Sequence, residues 1–276
     1  MVARKIVVLG TGGTIAGTAP AASDTLVYTA AQIGVGQLVA ALPALGQVPL
    51  EVEQVAQLDS KDMDAGHWSS LAGRCAEHLE RGEVDGVVVT HGTDTLEETA
   101  YFLHRVLAPR KPLVLTCAMR PATSVQSDGP QNLLDAVAVA RSGQVGGVVA
   151  VCAGRVHGAV EVAKWHPYRL DAFQSGEGGP LAVVEQGRVR VLRIAPPASA
   201  AWAESRLASL PPASDWPWVE IVTSHACADA RLVGALVQQG VRGLVVAGTG
   251  NGSVHHALEA ALLHAMERGV AVRRAT

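Results

Sequence analysis

Three segments place polar groups directly after β-like runs, where reactive side chains are most useful. Gly10-Thr11-Gly12-Gly13-Thr14-Ile15-Ala16-Gly17 follows an all-aliphatic stretch over residues 6–9. In α/β proteins ligands collect at the carboxyl ends of such strands. As a dinucleotide fingerprint the segment fails, because the third glycine of G-x-G-x-x-G would fall at Ile15. As a phosphate loop it also fails, since no Gly-Lys-Ser/Thr follows. Two readings remain: a flexible loop presenting Thr14 as a hydroxyl nucleophile, or a tight turn in which Thr14 only bonds backbone.

The second segment, His91-Gly92-Thr93-Asp94-Thr95-Leu96-Glu97-Glu98-Thr99, comes straight after Val87-Val88-Val89. Asp94 and Glu97 have capping-box spacing, so Asp94 could serve only as an N-cap. Alternatively, free N–H groups at the helix start could take a substrate carboxylate and Asp94 an ammonium group. Both ends of an α-amino acid would then be bound, with Thr93 at the same rim as Thr14. The third segment, Ser60-Lys61-Asp62-Met63-Asp64, is by itself a weak signal of helix capping. Met119 to Ser124 reads as a further rim loop, after which Asp128-Gly129-Pro130 starts a helix. Lys164, alone in a β-like hairpin, has the residue pattern of a solvated surface group. His91 reads as a hydrogen-bonding residue at the rim rather than a base. His255-His256 cannot put both rings on one metal from a helix, and neither H-E-x-x-H nor G-x-S-x-G occurs. A metal-independent site is expected.

The elements that position these groups follow from hydrophobic pattern. Strands are expected over 6–9, 52–57, 87–89, 113–117 and 148–152, and helices over 30–41, 65–81, 94–107 and 132–141. Continuous apolar strands separated by helices specify an α/β fold, a doubly wound, mostly parallel sheet covered on both faces. Short β pieces at 158–162, 181–184 and 189–194 complete a large N-terminal domain, 1–194. Prolines at 196, 197, 211, 212 and 217 mark a linker over 195–217. A second, smaller α/β domain, 218–276, repeats the alternation: strands 219–222, 243–247 and 271–273, helices 228–239 and 253–267. It reads as short, closing on Thr276.

The 276 residues are 49% hydrophobic and 17% charged, which is too apolar for a disordered chain. A net charge of −3 without a Lys/Arg block gives no support for nucleic-acid binding. No apolar run approaches the roughly 18 residues of a membrane span. Cys75, Cys117, Cys152 and Cys227 are scattered, and Cys117 and Cys152 sit in strand-like runs as small buried hydrophobes. A reducing cytoplasm fits best, or the periplasm if a leader was removed.

Taken together, Thr11-Gly12-Gly13-Thr14-Ile15-Ala16-Gly17 and residues 90–103, from Thr90-His91-Gly92-Thr93-Asp94 through Ala100-Tyr101-Phe102-Leu103, closely resemble the bacterial L-asparaginase family, the latter motif its type II branch. Ala118-Met119-Arg120-Pro121, Ser127-Asp128-Gly129-Pro130-x-Asn132-Leu133 and Ala247-Gly248-Thr249-Gly250-Asn251-Gly252 match in the same order, so the resemblance covers residue 6 to about 273. It implies hydrolysis of L-asparagine to L-aspartate and ammonia through a covalent acyl-threonine, with some L-glutaminase activity and no cofactor.

The resemblance also implies roles. Thr14 is the nucleophile, Tyr28 the flap tyrosine that positions and activates it, and Thr93, Lys164 and Asp94 a second triad. Ser60, Lys61, Thr93, Asp94, Ala118 and Asn251 are the implied substrate-binding positions, with Asn251 reaching a neighbouring subunit's site in a homotetramer built as a dimer of dimers. Lys61 departs from the pattern, which has Gln or Glu there, and a cation would repel the substrate's ammonium group. The chemistry is physically sensible: a threonine hydroxyl needs a base during attack, and a lysine can act once neighbours and desolvation favour its neutral form. Two rivals use the same scaffold: a subunit of a tRNA-dependent amidotransferase, which would need an extra N-terminal domain, and a non-catalytic amino-acid-binding protein, which has no need of Thr14, Thr93 and Lys164 together.

Overall fold

The computed structural model describes residues 4–194 and 205–276. It divides into two compact units, Met1–Leu210 and Pro211–Thr276. The linker expected over 195–217 straddles that division, and residues 195–204 lie outside the described residues. Beyond them, Arg206 N–H and Ser205 Oγ both donate to the Val106 carbonyl, tying this stretch to the first unit.

The first unit alternates β1 (Lys5–Gly12), α1 (Val35–Ala40), β2 (Leu50–Leu58), α2 (Ala65–Glu80), β3 (Val84–Thr90), α3 (Leu96–Leu107), β4 (Leu113–Thr116), α4 (Gly129–Ser142) and β5 (Val148–Cys152). Five short strands follow: β6 (Arg155–Gly158), β7 (Ala163–Lys164), β8 (Phe173–Gln174), β9 (Ala182–Glu185) and β10 (Arg188–Val191). The main sheet has eight strands in the order β10-β9-β6-β5-β4-β3-β1-β2. β2, β1, β3, β4 and β5 are mutually parallel, and the β6, β9 and β10 edge is antiparallel.

Alternate residues of one strand point to opposite faces. Val7 and Leu9 of β1 therefore pack with Leu71 of α2 and Leu103 of α3, whereas Ile6 and Val8 pack with Val35 of α1 and Leu133 of α4. Leu96, Ala100, Leu103 and Leu107 of α3 recur at helical spacing and are all buried, so one face of that helix is core. Truncating the fully buried Leu103 to alanine costs about 2–5 kcal/mol.

Strand order reverses at β1, between β2 and β3. In open parallel sheets the two neighbouring connections leave on opposite faces at such a point, opening a crevice beyond the carboxyl ends. Thr14 and Thr93 come from the two strands that flank it.

Several expected elements are shifted, each for a local reason. The helix expected over 30–41 begins only at Val35. Residues before it lie against the loop after β1: Ala31 N–H donates to Gly13, and Gln32 and Ile33 donate to Ala16. The helix expected from Asp94 begins at Leu96, because Asp94 is engaged elsewhere. The β piece expected over 158–162 is displaced, with β6 ending at Gly158 before a turn. α4 begins three residues earlier than expected, with Pro130 in its first turn.

The second unit contains β11 (Val219–Thr223), α5 (Arg231–Gln238), β12 (Gly243–Ala247), α6 (His256–Glu267) and β13 (Ala271–Ala275). Its three strands are parallel in the order β11-β12-β13. Val222, Val233, Val246, Leu258 and Leu262 form a separate core. Among the described residues no helix is long and apolar enough to cross a membrane.

Candidate active site

Backbone contact between glycines brings three strand ends together. A Cβ on Gly13 would lie 2.3 Å from Gly92 Cα, and one on Gly92 would lie 2.4 Å from Ser60 Oγ. The loops after β1 and β3 thus touch backbone to backbone, and the Ser60 side chain from the loop after β2 packs directly on Gly92. Gly12 and Gly13 also have φ of 103° and 78°, a left-handed turn that L-residues with a Cβ resist. Their effect is to present Thr14 beside Thr93.

Thr14 opens a short 3-10 turn, Thr14–Ala16, and is only 6% exposed. Its Oγ1 lies 2.8 Å from the Tyr28 hydroxyl. Tyr28 sits on a loop whose neck is an antiparallel bridge between Thr18 and Thr29.

Thr93, also 6% exposed, meets a different set of groups. Lys164 Nζ donates to Thr93 Oγ1 at 2.8 Å and to Asp94 Oδ1 at 2.6 Å. The Lys164 side chain is 18% exposed and that of Asp94 53%. The Lys164 amino group is therefore paired and mostly enclosed, which corrects its reading as a solvated surface group. It is carried by β7, which pairs with β8 through Lys164 and Phe173. Its backbone N–H donates to the Glu97 carboxylate, so α3 also holds the hairpin in place. Glu97 had been legible only as a helix-capping residue, because its partner is 67 positions away.

Ser60 joins this cluster. Its Oγ accepts the Asp94 N–H at 3.2 Å and its carbonyl accepts the Thr95 hydroxyl at 2.8 Å. Asp94 is accordingly not the N-cap of α3; Thr95 occupies that position, without a side-chain capping bond. Lys61, beside Ser60, gives its ammonium to Asp62 at 2.6 Å and Asp59 at 3.5 Å. Those carboxylates raise the Lys61 pKa, keeping it charged and locally neutralised.

His91 is fully buried, not at the rim as expected. One ring nitrogen bonds the Gly92 carbonyl at 2.8 Å and the other the Thr99 hydroxyl at 3.0 Å. Burial lowers its pKa to about 4, so the ring is neutral and structural.

The rim beyond β4 is built by residues whose roles the sequence did not disclose. The Asp128 carboxylate accepts the N–H groups of Met119 and Arg120 and the side-chain amide of Asn132. Asn132 also bridges β4 to β5, donating to the Cys117 carbonyl and accepting from Ala153 N–H. Ala118 is fully buried against Ile15 and Ala16. Thr14, Tyr28, Ser60, Thr93, Asp94, Lys164 and Ala118 all belong to the first unit, and Asn251 to the second.

The comparisons with known proteins agree with this architecture. Residues 5–196 match the family model "Asparaginase, N-terminal" and residues 218–276 match "Glutaminase/Asparaginase C-terminal domain". The chain is 37% identical to a glutaminase-asparaginase of Pseudomonas fluorescens biotype A, covering 99% of this chain and 75% of the relative. It is 36% identical to L-asparaginase 2 of Escherichia coli K12, covering 99% and 77% respectively. The crystal structure of a probable cytoplasmic L-asparaginase from Campylobacter jejuni superposes with a TM-score of 0.92 at 36% identity, over 98% of this chain and 82% of that one. This chain belongs to the asparaginase family.

Proposed function

We propose that the protein hydrolyses the side-chain amide of L-asparagine to L-aspartate and ammonia, with L-glutamine as a second substrate. The observation that carries this reading is the pair of hydrogen-bonded sets, Thr14–Tyr28 and Thr93–Lys164–Asp94, on loops in backbone contact.

Thr14 Oγ1 attacks the amide carbon while Tyr28, within hydrogen-bond reach, orients it and shares in removing its proton. Backbone N–H groups near Thr93 stabilise the tetrahedral oxyanion, an effect worth about 2.7–4 kcal/mol per donor in comparable sites. The C–N bond breaks, ammonia leaves with the transferred proton, and an acyl-threonine ester remains. A water molecule attacks this ester while its proton passes by way of Thr93 to the neutral amine of Lys164; the C–O bond to Thr14 breaks, that proton is returned to Thr14 Oγ1, and aspartate is released. Asp94 keeps Lys164 in place through Oδ1, leaving Oδ2 for the substrate's α-ammonium. Ser60 lies beside the α-carboxylate. Every step uses side chains and water, with no cofactor. Thr14, Tyr28, Thr93 and Lys164 together serve catalysis, which favours an enzyme over a binding protein on the same scaffold.

We also infer a homotetramer, a dimer of dimers, in which Asn251 reaches a neighbour's substrate. Exposed Leu232 on α5 and Leu263 and Met266 on α6 support an interface on the second unit. A cytoplasmic location suits four free cysteines.

The test is ammonia release from L-asparagine and L-glutamine by the parent chain beside Thr14→Ala. Turnover by the parent and its loss in the variant support the nucleophile assignment. Equal activity in both overturns it.

A further inference from the structure

The loop that carries Tyr28 is held unevenly. At its neck, Thr18 and Thr29 exchange backbone hydrogen bonds at 2.9 Å, and Ala19 N–H donates to Thr123 Oγ1 at 2.8 Å. Val125 N–H reaches the Ala22 carbonyl at 2.9 Å. Nearer the tip, Leu26 is 74% and Val27 69% exposed, so packing contributes little there. Thr25 ties the tip, its hydroxyl lying 3.1 Å from that of Tyr168.

Tyr168 is well placed for such a tie. It follows Lys164 by four residues, on the connection between β7 and β8. Its ring lies over the Arg120 guanidinium, 4.0 Å from the ring centroid, and its carbonyl accepts Arg120 Nη1 at 2.8 Å. Arg120 is 5% exposed, and its Nε is buried without a hydrogen-bond partner. Burying a guanidinium in that state is costly, and the stacking and carbonyl bonds to Tyr168 offset part of the cost. Arg120 is in turn fixed at its own N–H by Asp128 at 2.9 Å. A continuous path of contacts thus runs from Asp128 through Arg120 and Tyr168 to Thr25, three residues before the tyrosine that touches Thr14.

We propose that Tyr168 is a positioning residue: its hydroxyl clips the tip of the Tyr28 loop to the Lys164 hairpin, so that both hydrogen-bonded sets stand on one fixed frame. The proposal rests on the assignment of Thr14 and Tyr28 made above. The clip acts on the chemical step, because Tyr28 touches the nucleophile and not the groups assigned to hold the substrate's α-substituents.

The test combines Tyr168→Phe, which keeps the ring over Arg120, with Thr25→Val and Thr25→Ser. Tyr168→Phe is expected to lower kcat for asparagine about three- to ten-fold, the range of one net hydrogen bond, with KM within about two-fold. Thr25→Val should match it, Thr25→Ser should stay near the parent, and the double variant Tyr168→Phe/Thr25→Val should be no worse than either single change. Amide hydrogen exchange at Thr18 and Thr29 should quicken in Tyr168→Phe while exchange in β3 and β4 is unchanged. An unaltered kcat, additive losses, a Thr25→Ser variant as poor as Thr25→Val, or unchanged exchange at the loop neck would each overturn the proposal. Failure of the nucleophile assignment would show separately, as activity retained in Thr14→Ala, and the exchange measurement reports on the clip in either case.

Discussion

The hydroxyl of Tyr28 lies 2.8 Å from Oγ1 of Thr14, although the two residues are joined by a loop of thirteen others. Through that contact the loop can influence proton removal from a weakly acidic nucleophile. Tyr28→Phe should therefore lower kcat by about 10²–10⁴-fold, the usual worth of a positioned acid–base group, and leave the fold intact. Steady-state ammonia release with a circular dichroism control measures both. Mass spectrometry of the quenched reaction should show the aspartyl adduct on Thr14 in the parent and none in Thr14→Ala.

Thr93, Lys164 and Asp94 form one hydrogen-bonded unit. Groups that act together give non-additive losses. Lys164→Met and Thr93→Val should each reduce kcat by about 10²–10⁴-fold, and the double variant should be little worse than the poorer single one. Multiplicative losses in single-turnover rates would mean that the two residues act independently.

The Lys61 ammonium is held by Asp59 and Asp62. Solvent screens an exposed pair of this kind, so Lys61→Gln should change KM for asparagine by no more than about two-fold. Asp59→Asn/Asp62→Asn leaves the cation unmatched beside the site and should raise KM for asparagine clearly. Salt titration of KM in the double variant checks the electrostatic origin, since added salt should bring it back toward the parent value.

Two buried histidines set an acid limit to stability. Desolvation lowers the pKa of His91 to about 4 and that of His157 to about 4, against 6.5 in the unfolded chain. Between these values the unfolded state binds the proton and the folded state does not, so stability is fully present above about pH 6.5 and is lost as pH falls toward 4. Glu51, held at about 2 by Arg81 and Lys5, adds a loss only below about pH 4.5. Urea midpoints at pH 7.5, 6 and 5 should fall progressively, and His157→Gln should flatten that decline. A flat profile over this range in the parent would contradict the assignment.

Thiol chemistry gives a simple check of the core. Cys75, Cys117 and Cys152 are buried and Cys227 is exposed. Burial pushes the Cys75 thiol up, and the Cys117 thiol is pushed up by its contact with Cys152 and by burial. Thiolate is the reactive form, so a thiol reagent should label Cys227 rapidly in the native protein and the other three only on unfolding. Rapid native labelling of Cys117 or Cys152 would contradict the packing of β4 against β5.

Much of the molecule was legible in the sequence because its causes are local. Aliphatic runs such as Val87-Val88-Val89 can only be strands buried on both faces, and the period of Leu96, Ala100, Leu103 and Leu107 specifies one buried helix face. Gly12 and Gly13 mark a turn by residue type alone. Element ends were less legible. Asp94 and Glu97 have capping spacing, yet both are drawn to Lys164, some seventy residues on, and the helix starts later as a result. Lys164 itself looks like a surface residue until folding supplies Thr93, Asp94 and Glu97 around it. His91 looked like a rim group until burial made it neutral. Arg120 was legible only as part of a rim loop and Tyr168 not at all, because their stacking joins segments 48 positions apart. Hydrophobic period and turn chemistry act over a few residues and so determined the elements and their order from sequence alone. Hydrogen bonds between strand ends act over a few ångströms of space, whatever the sequence separation, so only the tertiary structure decided which polar groups share a proton.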